Sequence, residues 1–213
     1  MPSSTLIDVL RHGEPLGGAR YRGRTDDALS NAGWQQMTDA IELCTTDQNN
    51  VNKPAPWTHI ISSPLSRCAD FARLLSETHQ LELLIEPRFA EIDFGDWEGL
   101  TSQQIMERNS EQLLQYWDNP IDNTPPNGEP LNSFKSRVTS AWNDLLSEHA
   151  STDKKHLLVI THGGTLRIIM SHVLTTPLTA LFKLDVPYAC LSRFQHQHDS
   201  QQSHLIFHNG SLP

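Results

Sequence analysis

The sequence predicts an α/β fold: a three-layer α-β-α sandwich with a mostly parallel central sheet, helices on both faces and an antiparallel strand allowed at the sheet edge. One observation is that short apolar runs alternate with longer segments whose apolar residues recur at helical spacing. Another is that Leu6–Leu10 and Leu157–Ile160 both lead into a histidine and a glycine, as at the ligand-binding edge of a parallel sheet. Because 213 residues suit one such unit, we expect a single domain over residues 1–213.

The first strand and the first helix are separated by a loop. Leu6–Leu10 has the length of a strand, and residues 15–27 are rich in glycine and aspartate, which predicts a loop. Ser30 is the expected N-cap of a helix. The apolar residues of that helix are Trp34, Met37, Ile41 and Leu43. The polar segment 46–56 is a predicted connector.

A second strand and helix follow the connector. His59–Ile61 is a predicted strand, and Ser63 as N-cap with Pro64 at the first helical position predicts the start of a helix. We expect this helix to bury the residues at helical spacing, namely Leu65, Cys68, Phe71, Leu74 and Leu75. Leu83–Ile85 is the third predicted strand.

The second half of the chain continues the alternation. The sequence predicts a helix over residues 101–117, a proline-rich loop over 119–130, and a long helix that begins at Leu131. The Leu157–Ile160 strand precedes a helix whose apolar residues are Leu166, Ile169, Met170 and Val173. Residues 190–194 and 204–207 are two terminal strands, which allows antiparallel pairing at the sheet edge.

Composition narrows the classes of partner. A net charge of −9 argues against a general binder of nucleic acid or of membrane surfaces, although an acidic chain still binds a small anion where its arginines are concentrated. No apolar stretch approaches the ~20 residues of a transmembrane helix, and residues 1–4 do not resemble a secretory signal. Cys44, Cys68 and Cys190 are widely spaced, which favours reduced thiols in a cytoplasmic protein. The sequence predicts no particular oligomeric state.

Two histidines follow strands that we expect to be parallel. His12 lies between Arg11 and Gly13, and His162 precedes Gly163. The carboxyl ends of parallel strands converge, so the two imidazoles should face one pocket. The charge of Arg11 should disfavour protonation of His12, and a neutral imidazole is a nucleophile. His162 is then suited to donate a hydrogen bond to a phosphoryl oxygen.

Further charged groups belong to the same pattern. Arg67 lies in the first turn of a predicted helix, where both the guanidinium and the helix N-terminus favour an anion. The aromatic-rich loop 89–99 contains four acids, one of which is suited to general acid catalysis, and spacing alone does not choose among them. Each motif alone also fits a structural role. Together, two histidines, two arginines and a carboxyl group suit phosphoryl transfer without a metal.

Five motifs, in order, resemble those of the histidine phosphatase superfamily, which includes cofactor-dependent phosphoglycerate mutases and alpha-ribazole phosphatases. They are Arg11-His12-Gly13-Glu14, Leu29-Ser30-x-x-Gly33-x-x-Gln36, Ser62-Ser63-Pro64-x-x-Arg67, Glu91-x-x-Phe94-Gly95-x-Trp97-Glu98-Gly99 and Thr161-His162-Gly163-Gly164. The resemblance implies that His12 forms a phosphohistidine and that Glu91 is the proton donor. It implies a phosphoryl site made by Arg11, Arg67, His162, Gly163 and the amide of Gly23. It implies a phosphate monoester as substrate and no cofactor.

The resemblance is closest to the alpha-ribazole-5'-phosphate phosphatases of cobalamin synthesis, through residues 20–23, 26–30 and 33–37. A phosphoglycerate or sugar-phosphate mutase is the alternative enzyme, but Pro15–Gly18 replaces the polar segment of mutases and their longer insertion is missing. A catalytically silent phospho-ligand binder is the alternative of another class, and it has no use for a nucleophile and an acid.

Two other features have weaker interpretations. Gly128-Glu129 resembles a pair on a lid over the site in related proteins, and an ordinary surface loop explains it equally well. Four histidines near the end of the chain, His196, His198, His204 and His208, suggest a metal. No cysteine or carboxylate completes a ligand set, so we predict a solvated strand face and no metal.

Overall fold

The computed structural model describes residues 4–45, 55–150 and 155–210. Most of the predicted connector 46–56 lies outside the described residues, and so does the side chain of Leu43. None of the described helices combines the length and the apolar character needed to cross a membrane.

The described chain forms a mixed sheet of six strands, in the order β3-β2-β4-β1-β5-β6. The strands are β1 (Ser4–Arg11), β2 (His59–Ser62), β3 (Glu82–Ile85), β4 (Lys155–Thr161), β5 (Leu191–Gln197) and β6 (Gln202–His208). Strands β1 to β4 pair in parallel, whereas β5 is antiparallel to both β1 and β6. The predicted α/β class is therefore confirmed, and its antiparallel part consists of two strands at one edge.

Helices cover both faces of this sheet. They are α1 (Asn31–Thr45), α2 (Ser66–His79), α3 (Ser102–Asp118), α4 (Leu131–Glu148) and α5 (Gly163–Val173). Alternate side chains of β4 point to opposite faces. Leu157 and Val159 pack in a cluster with α4 and α5, while Leu158 and Ile160 pack in a cluster with α1 and α2.

Two predictions about α2 are wrong. The helix begins at Ser66, with Leu65 as its N-cap, rather than at Pro64. The Ser63 hydroxyl hydrogen-bonds His162 Nε2 at 2.6 Å and accepts from the Leu65 N–H at 3.3 Å, ahead of the helix. Leu74 is 48% exposed. Its position is two residues, or about 200° around the helix, from the buried Ala72, so it faces away from the core.

The N-cap role of Ser30, at the start of α1, is confirmed by a 3.0 Å hydrogen bond from the Gly33 N–H.

A buried ion network crosses the middle of the sheet. The carboxylate of Asp8 is fully buried and accepts hydrogen bonds from Trp57 Nε1 at 2.8 Å and His156 Nε2 at 2.9 Å. It also accepts from Arg193 Nε at 2.7 Å and from the terminal nitrogen of that guanidinium at 2.8 Å. Burial alone raises the pKa of Asp8, but the bonds and charges of Arg193 and His156 outweigh it and lower the pKa overall.

Replacing Asp8 with asparagine should reduce the free energy of unfolding by about 3–5 kcal/mol, since it leaves the guanidinium of Arg193, whose side chain is only 14% exposed, without its charged partner. A carboxylate with a lowered folded-state pKa stabilises above its unfolded value of about 3.9, and this stabilisation is lost as pH falls through the folded-state pKa. The difference between wild type and Asp8→Asn, measured by urea unfolding, should therefore shrink in acid. Asp70→Asn, which breaks an exposed pair with Arg73, should cost about 0–1 kcal/mol. An equal loss in both variants would contradict the assignment.

Candidate active site

The two strand-end histidines lie side by side. Strands β1 and β4 are neighbours, with Arg11 opposite Thr161 in the parallel register. The His12 N–H donates to the Thr161 carbonyl at 2.8 Å, which continues the pairing one residue past the strands. The ring centroids of His12 and His162 are 5.1 Å apart, and both residues are buried. The convergence expected from the sequence is thus what the backbone produces.

His12 is held in one tautomer. Its Nδ1 lies 2.7 Å from the Gly13 carbonyl oxygen, which only accepts, so Nδ1 carries the hydrogen and Nε2 has a free lone pair. Burial and the positive charges of Arg67 and Arg11 lower the pKa of His12 well below its ordinary value. We expected this effect from Arg11 alone, but burial contributes more, and so does Arg67. Gly13 is required because a Cβ would approach the Gly33 carbonyl oxygen to 2.1 Å.

His162 is enclosed by hydrogen-bond partners. Arg67 is fully buried, and its Nε donates to His162 Nδ1 at 3.3 Å. Because Nδ1 accepts, the proton of the neutral ring lies on Nε2, which donates to the Ser63 hydroxyl. Burial, followed by the charge of Arg67, lowers the pKa of His162 well below its ordinary value. Donation from His162 to a phosphoryl oxygen therefore requires the bond to Ser63 to be exchanged.

The Gly23 amide, which we predict to bind phosphate, is bonded to a carboxylate in this structure. The Gly23 N–H donates to the Glu98 carboxylate at 2.8 Å, and the N–H groups of Arg24 and Thr25 donate to the same group at 3.0 Å each. The loop is nevertheless part of the site, because Arg67 donates to the carbonyls of Gly23 at 2.9 Å and Thr25 at 2.8 Å. A phosphate would have to displace Glu98 to reach the Gly23 amide, whose role stays a prediction.

Glu91 is the acid of its loop that contacts the start of α5, two residues after His162. It is 8% exposed, and its carboxylate accepts from the Gly164 N–H at 2.9 Å and from the Ile92 N–H at 3.0 Å. Gly164 is at the N-terminus of α5, where a Cβ would approach Glu91 Oε1 to 2.3 Å. The other acids of the loop are engaged elsewhere: Asp93 with the Gly95 N–H, Asp96 with Asn127, and Glu98 as above. The structure thereby separates acids that spacing left equivalent.

Two guanidinium groups flank the N-terminus of α5. Arg11 stacks 4.3 Å above the ring of Tyr188 and donates to the Val186 carbonyl, while its buried Nε has no partner among the described residues. A Cβ on Gly163 would lie 3.2 Å from both Arg11 Nε and a terminal nitrogen of Arg167. The glycine therefore lets both cations approach the helix end, where the helix dipole also favours an anion.

A cavity of about 380 Å³ opens beside these groups. Its polar wall includes Arg11, Glu91, Gly163, Gly164 and Arg167. Most of its remaining lining, the apolar wall, is apolar or aromatic and includes Phe94, Tyr116, Leu131, Phe134, Leu181 and Phe182. Sequence reasoning missed most of this wall, because α3 and the turn Leu178–Lys183 reach the site only through tertiary packing. Arg167 was detectable, since it lies one helical turn after Gly163.

Of the terminal histidines, His196, His204 and His208 lie on β5 and β6, and His198 follows β5. The prediction of a solvated strand face is wrong for His196, which is buried. His196 Nδ1 is 2.9 Å from the Ser203 hydroxyl, and His198 Nε2 is 2.8 Å from the Thr5 hydroxyl. Across the residues with a described position, no three His, Cys, Asp or Glu side chains gather as metal ligands.

Comparison with known proteins identifies relatives over nearly the whole chain. Residues 7–209 match the family described as "Histidine phosphatase superfamily (branch 1)". A bifunctional protein of Mycobacterium tuberculosis is 28% identical over 211 residues, which is 98% of this chain and 55% of that protein. The chain thus spans about half the length of this relative.

Two further relatives are similar in length to this chain. The adenosylcobalamin/alpha-ribazole phosphatase of Salmonella typhimurium is 28% identical over 189 residues, covering 86% of this chain and 87% of that enzyme. The solved complex of mycobacterial glucosyl-3-phosphoglycerate phosphatase with inorganic phosphate has a TM-score of 0.79 and 25% identity, covering 97% of each chain.

Proposed function

The chain belongs to the histidine phosphatase superfamily (branch 1), and on that basis we propose that it hydrolyses phosphate monoesters through a phosphohistidine on His12. The observation that carries the proposal is the state of His12, a buried neutral ring whose Nδ1 is bonded to the Gly13 carbonyl and whose Nε2 lone pair is free. That is the form of imidazole that attacks phosphorus. We assign the activity to one catalytic domain over residues 1–213.

In the first step, His12 Nε2 forms a bond to phosphorus while the bond from phosphorus to the ester oxygen breaks. Arg11 and Arg67 neutralise the phosphoryl oxygens, a role that arginine and metal ions share in phosphoryl transfer. Glu91 gives its proton to the leaving oxygen, so that an alcohol departs rather than an alkoxide. The Gly13 carbonyl keeps its bond to Nδ1–H throughout and stabilises the positive charge on the phosphorylated ring.

The second step is the reverse of the first, with water in place of the alcohol. Glu91, now a carboxylate, takes a proton from water as the water oxygen bonds to phosphorus. The bond from His12 to phosphorus breaks, inorganic phosphate leaves, and the neutral imidazole and the protonated acid are restored.

Alpha-ribazole-5'-phosphate is the substrate that we propose. Its alcohol portion carries a planar benzimidazole ring, which matches the aromatic and aliphatic wall formed by Phe94, Tyr116 and Phe182 with its neighbours. The alcohol portion of phosphoglycerate is small, polar and charged, so contacts with most of that wall would add little to its binding affinity. The similarity to the Salmonella typhimurium phosphatase supports the same choice.

A substrate panel tests this proposal. We expect kcat/KM for alpha-ribazole-5'-phosphate to exceed that for 3-phosphoglycerate by about tenfold or more, with a chelator present, because apolar contacts discriminate on that scale. Phe182→Ala, which removes one ring from the cavity wall, should reduce that preference. Interconversion of phosphoglycerate isomers would favour the mutase instead, and binding without turnover of any ester would favour the silent binder.

A further inference from the structure

Arg137, on α4, uses every N–H group of its guanidinium. Nε donates to Glu129 Oε1 and a terminal nitrogen donates to Glu129 Oε2, both at 2.7 Å. The same terminal nitrogen donates to the Glu91 carbonyl at 3.0 Å. The other donates to the carbonyls of Arg88 and Ala90, each at 2.7 Å. These bonds saturate the five donors of an arginine side chain.

The segment that receives these bonds has no regular secondary structure of its own. Residues 90–94 lie between two short turns, Pro87–Phe89 and Gly95–Trp97, and belong to no strand or helix. Buried carbonyl groups need partners, and the guanidinium supplies one to both Ala90 and Glu91. The backbone of Glu91 is thus held by Arg137, while its carboxylate is held by the Gly164 N–H.

Glu129 fixes Arg137 in turn. Their side chains are only 15% and 17% exposed, and the paired geometry is the bidentate one that orients both partners. Glu129 also accepts a hydrogen bond from the Asp93 N–H at 3.4 Å, and its own N–H donates to the Asp93 carbonyl at 2.8 Å. The Gly128-Glu129 pair therefore packs against the loop that carries Glu91, where the sequence resemblance suggested a lid.

We infer that Arg137, oriented by Glu129, is a positioning residue that holds the carboxyl group of Glu91 where it delivers its proton to the leaving oxygen. The inference rests on the proposed function, because it assigns Glu91 as the general acid. Small displacements of a catalytic group are costly, since a 1 Å error reduces rates by about 10²-fold. Lysine, a point charge with three donors, cannot reproduce this fork.

The effect of misplacing an acid depends on the leaving group. An alkyl phosphate expels a basic alkoxide and needs protonation, whereas p-nitrophenyl phosphate expels a stable phenolate and needs little. The ratio kcat/KM includes only the steps up to release of the alcohol, so the second use of Glu91 does not affect it. A structural role for Arg137 would lower kcat/KM for both esters equally.

The experiment compares the two esters in Arg137→Lys, Glu129→Gln and the control Arg88→Lys. Arg88 lies on the adjoining turn, and its side chain pairs with Glu86 and Asp144 at the surface without contacting residues 90–91. We expect Arg137→Lys to lower kcat/KM for the alkyl ester by about 10- to 100-fold and for p-nitrophenyl phosphate by less than about threefold. In Glu129→Gln, kcat/KM should decrease less than in Arg137→Lys, but again more for the alkyl ester than for p-nitrophenyl phosphate. Arg88→Lys should leave the ratio of the two kcat/KM values unchanged.

The outcomes separate this inference from the proposed function. Equal losses on both esters in folded Arg137→Lys, checked by its thermal unfolding midpoint, would overturn the positioning role while leaving the phosphatase intact. If Arg137→Lys does not fold, a ratio unchanged in Glu129→Gln would overturn the role by itself. A wild-type protein that hydrolyses neither ester would instead refute the proposed function.

Discussion

Replacing His12 with alanine should lower kcat for phosphate ester hydrolysis by about 10⁴- to 10⁶-fold, the scale seen when a covalent nucleophile is removed. The expectation follows from the geometry, because no other imidazole in the described site has a free ring nitrogen. Both nitrogens of His162 are occupied, by Arg67 and by Ser63. It therefore cannot replace His12 without breaking the contacts that hold it. Steady-state hydrolysis of p-nitrophenyl phosphate measures the effect directly.

The matched control is an exposed histidine of the same chain. His204 lies on β6, far along the sheet from the site, and His204→Ala should retain wild-type turnover within about twofold, as surface substitutions do. Circular dichroism of both variants checks that the fold is kept. Turnover of His12→Ala within about tenfold of wild type would show that another group attacks phosphorus.

Replacing Glu91 with glutamine should lower kcat/KM for an alkyl phosphate by about 10²- to 10⁴-fold, the range of a positioned general acid. Glutamine keeps the size of the side chain and an oxygen that accepts from the Gly164 N–H, but it has no proton to give. The loss should be much smaller for p-nitrophenyl phosphate, whose phenolate leaves unaided. Stopped assays give kcat/KM for both esters, and the ratio of the two values separates an effect on protonation of the leaving group from an effect on binding.

Asp96→Asn is the control for this second prediction. Asp96 lies on the same loop but is exposed and bonds the Asn127 amide at 3.1 Å, away from the histidines. The ratio of the two esters should therefore stay at the wild-type value. Equal decreases in kcat/KM for both esters in Glu91→Gln would mean that another group donates the proton.

Those parts of the site that depend on local sequence were predictable. A strand followed at once by a histidine fixes where that histidine lies, since the carboxyl ends of β1 and β4 share one edge of the sheet. His12 and His162 were therefore found by pattern alone. The helix start at Ser30 was found in the same way, because an N-cap is a contact over three residues.

Those parts that depend on distant partners were not predictable. The hydrogen bond of the Gly23 amide to Glu98, on a separate loop, has no signal in the local sequence. The hydrogen bond between the Ser63 hydroxyl and His162 has no such signal either. Glu91 is distinguished from its neighbouring acids by the hydrogen bond from Gly164, which is distant in sequence. In each case a polar group satisfies a buried partner far away in sequence, and local spacing contains no information about that partner.

The role of Arg137 illustrates the same limit. It stands in the middle of an amphipathic helix, where an arginine is an ordinary surface residue. Only the folded structure shows that its guanidinium donates hydrogen bonds to the carbonyls of Ala90 and Glu91.

The most direct test of the central claim is to locate the phosphoryl group on the enzyme. The protein is quenched during turnover of p-nitrophenyl phosphate at alkaline pH, where phosphohistidine survives, and its peptides are mapped by mass spectrometry. The mechanism predicts one added phosphoryl group, on His12, which is absent from His12→Ala and accumulates in Glu91→Gln because its hydrolysis lacks a base. A phosphoryl group on His162, or no phosphorylated histidine during active turnover, would contradict it.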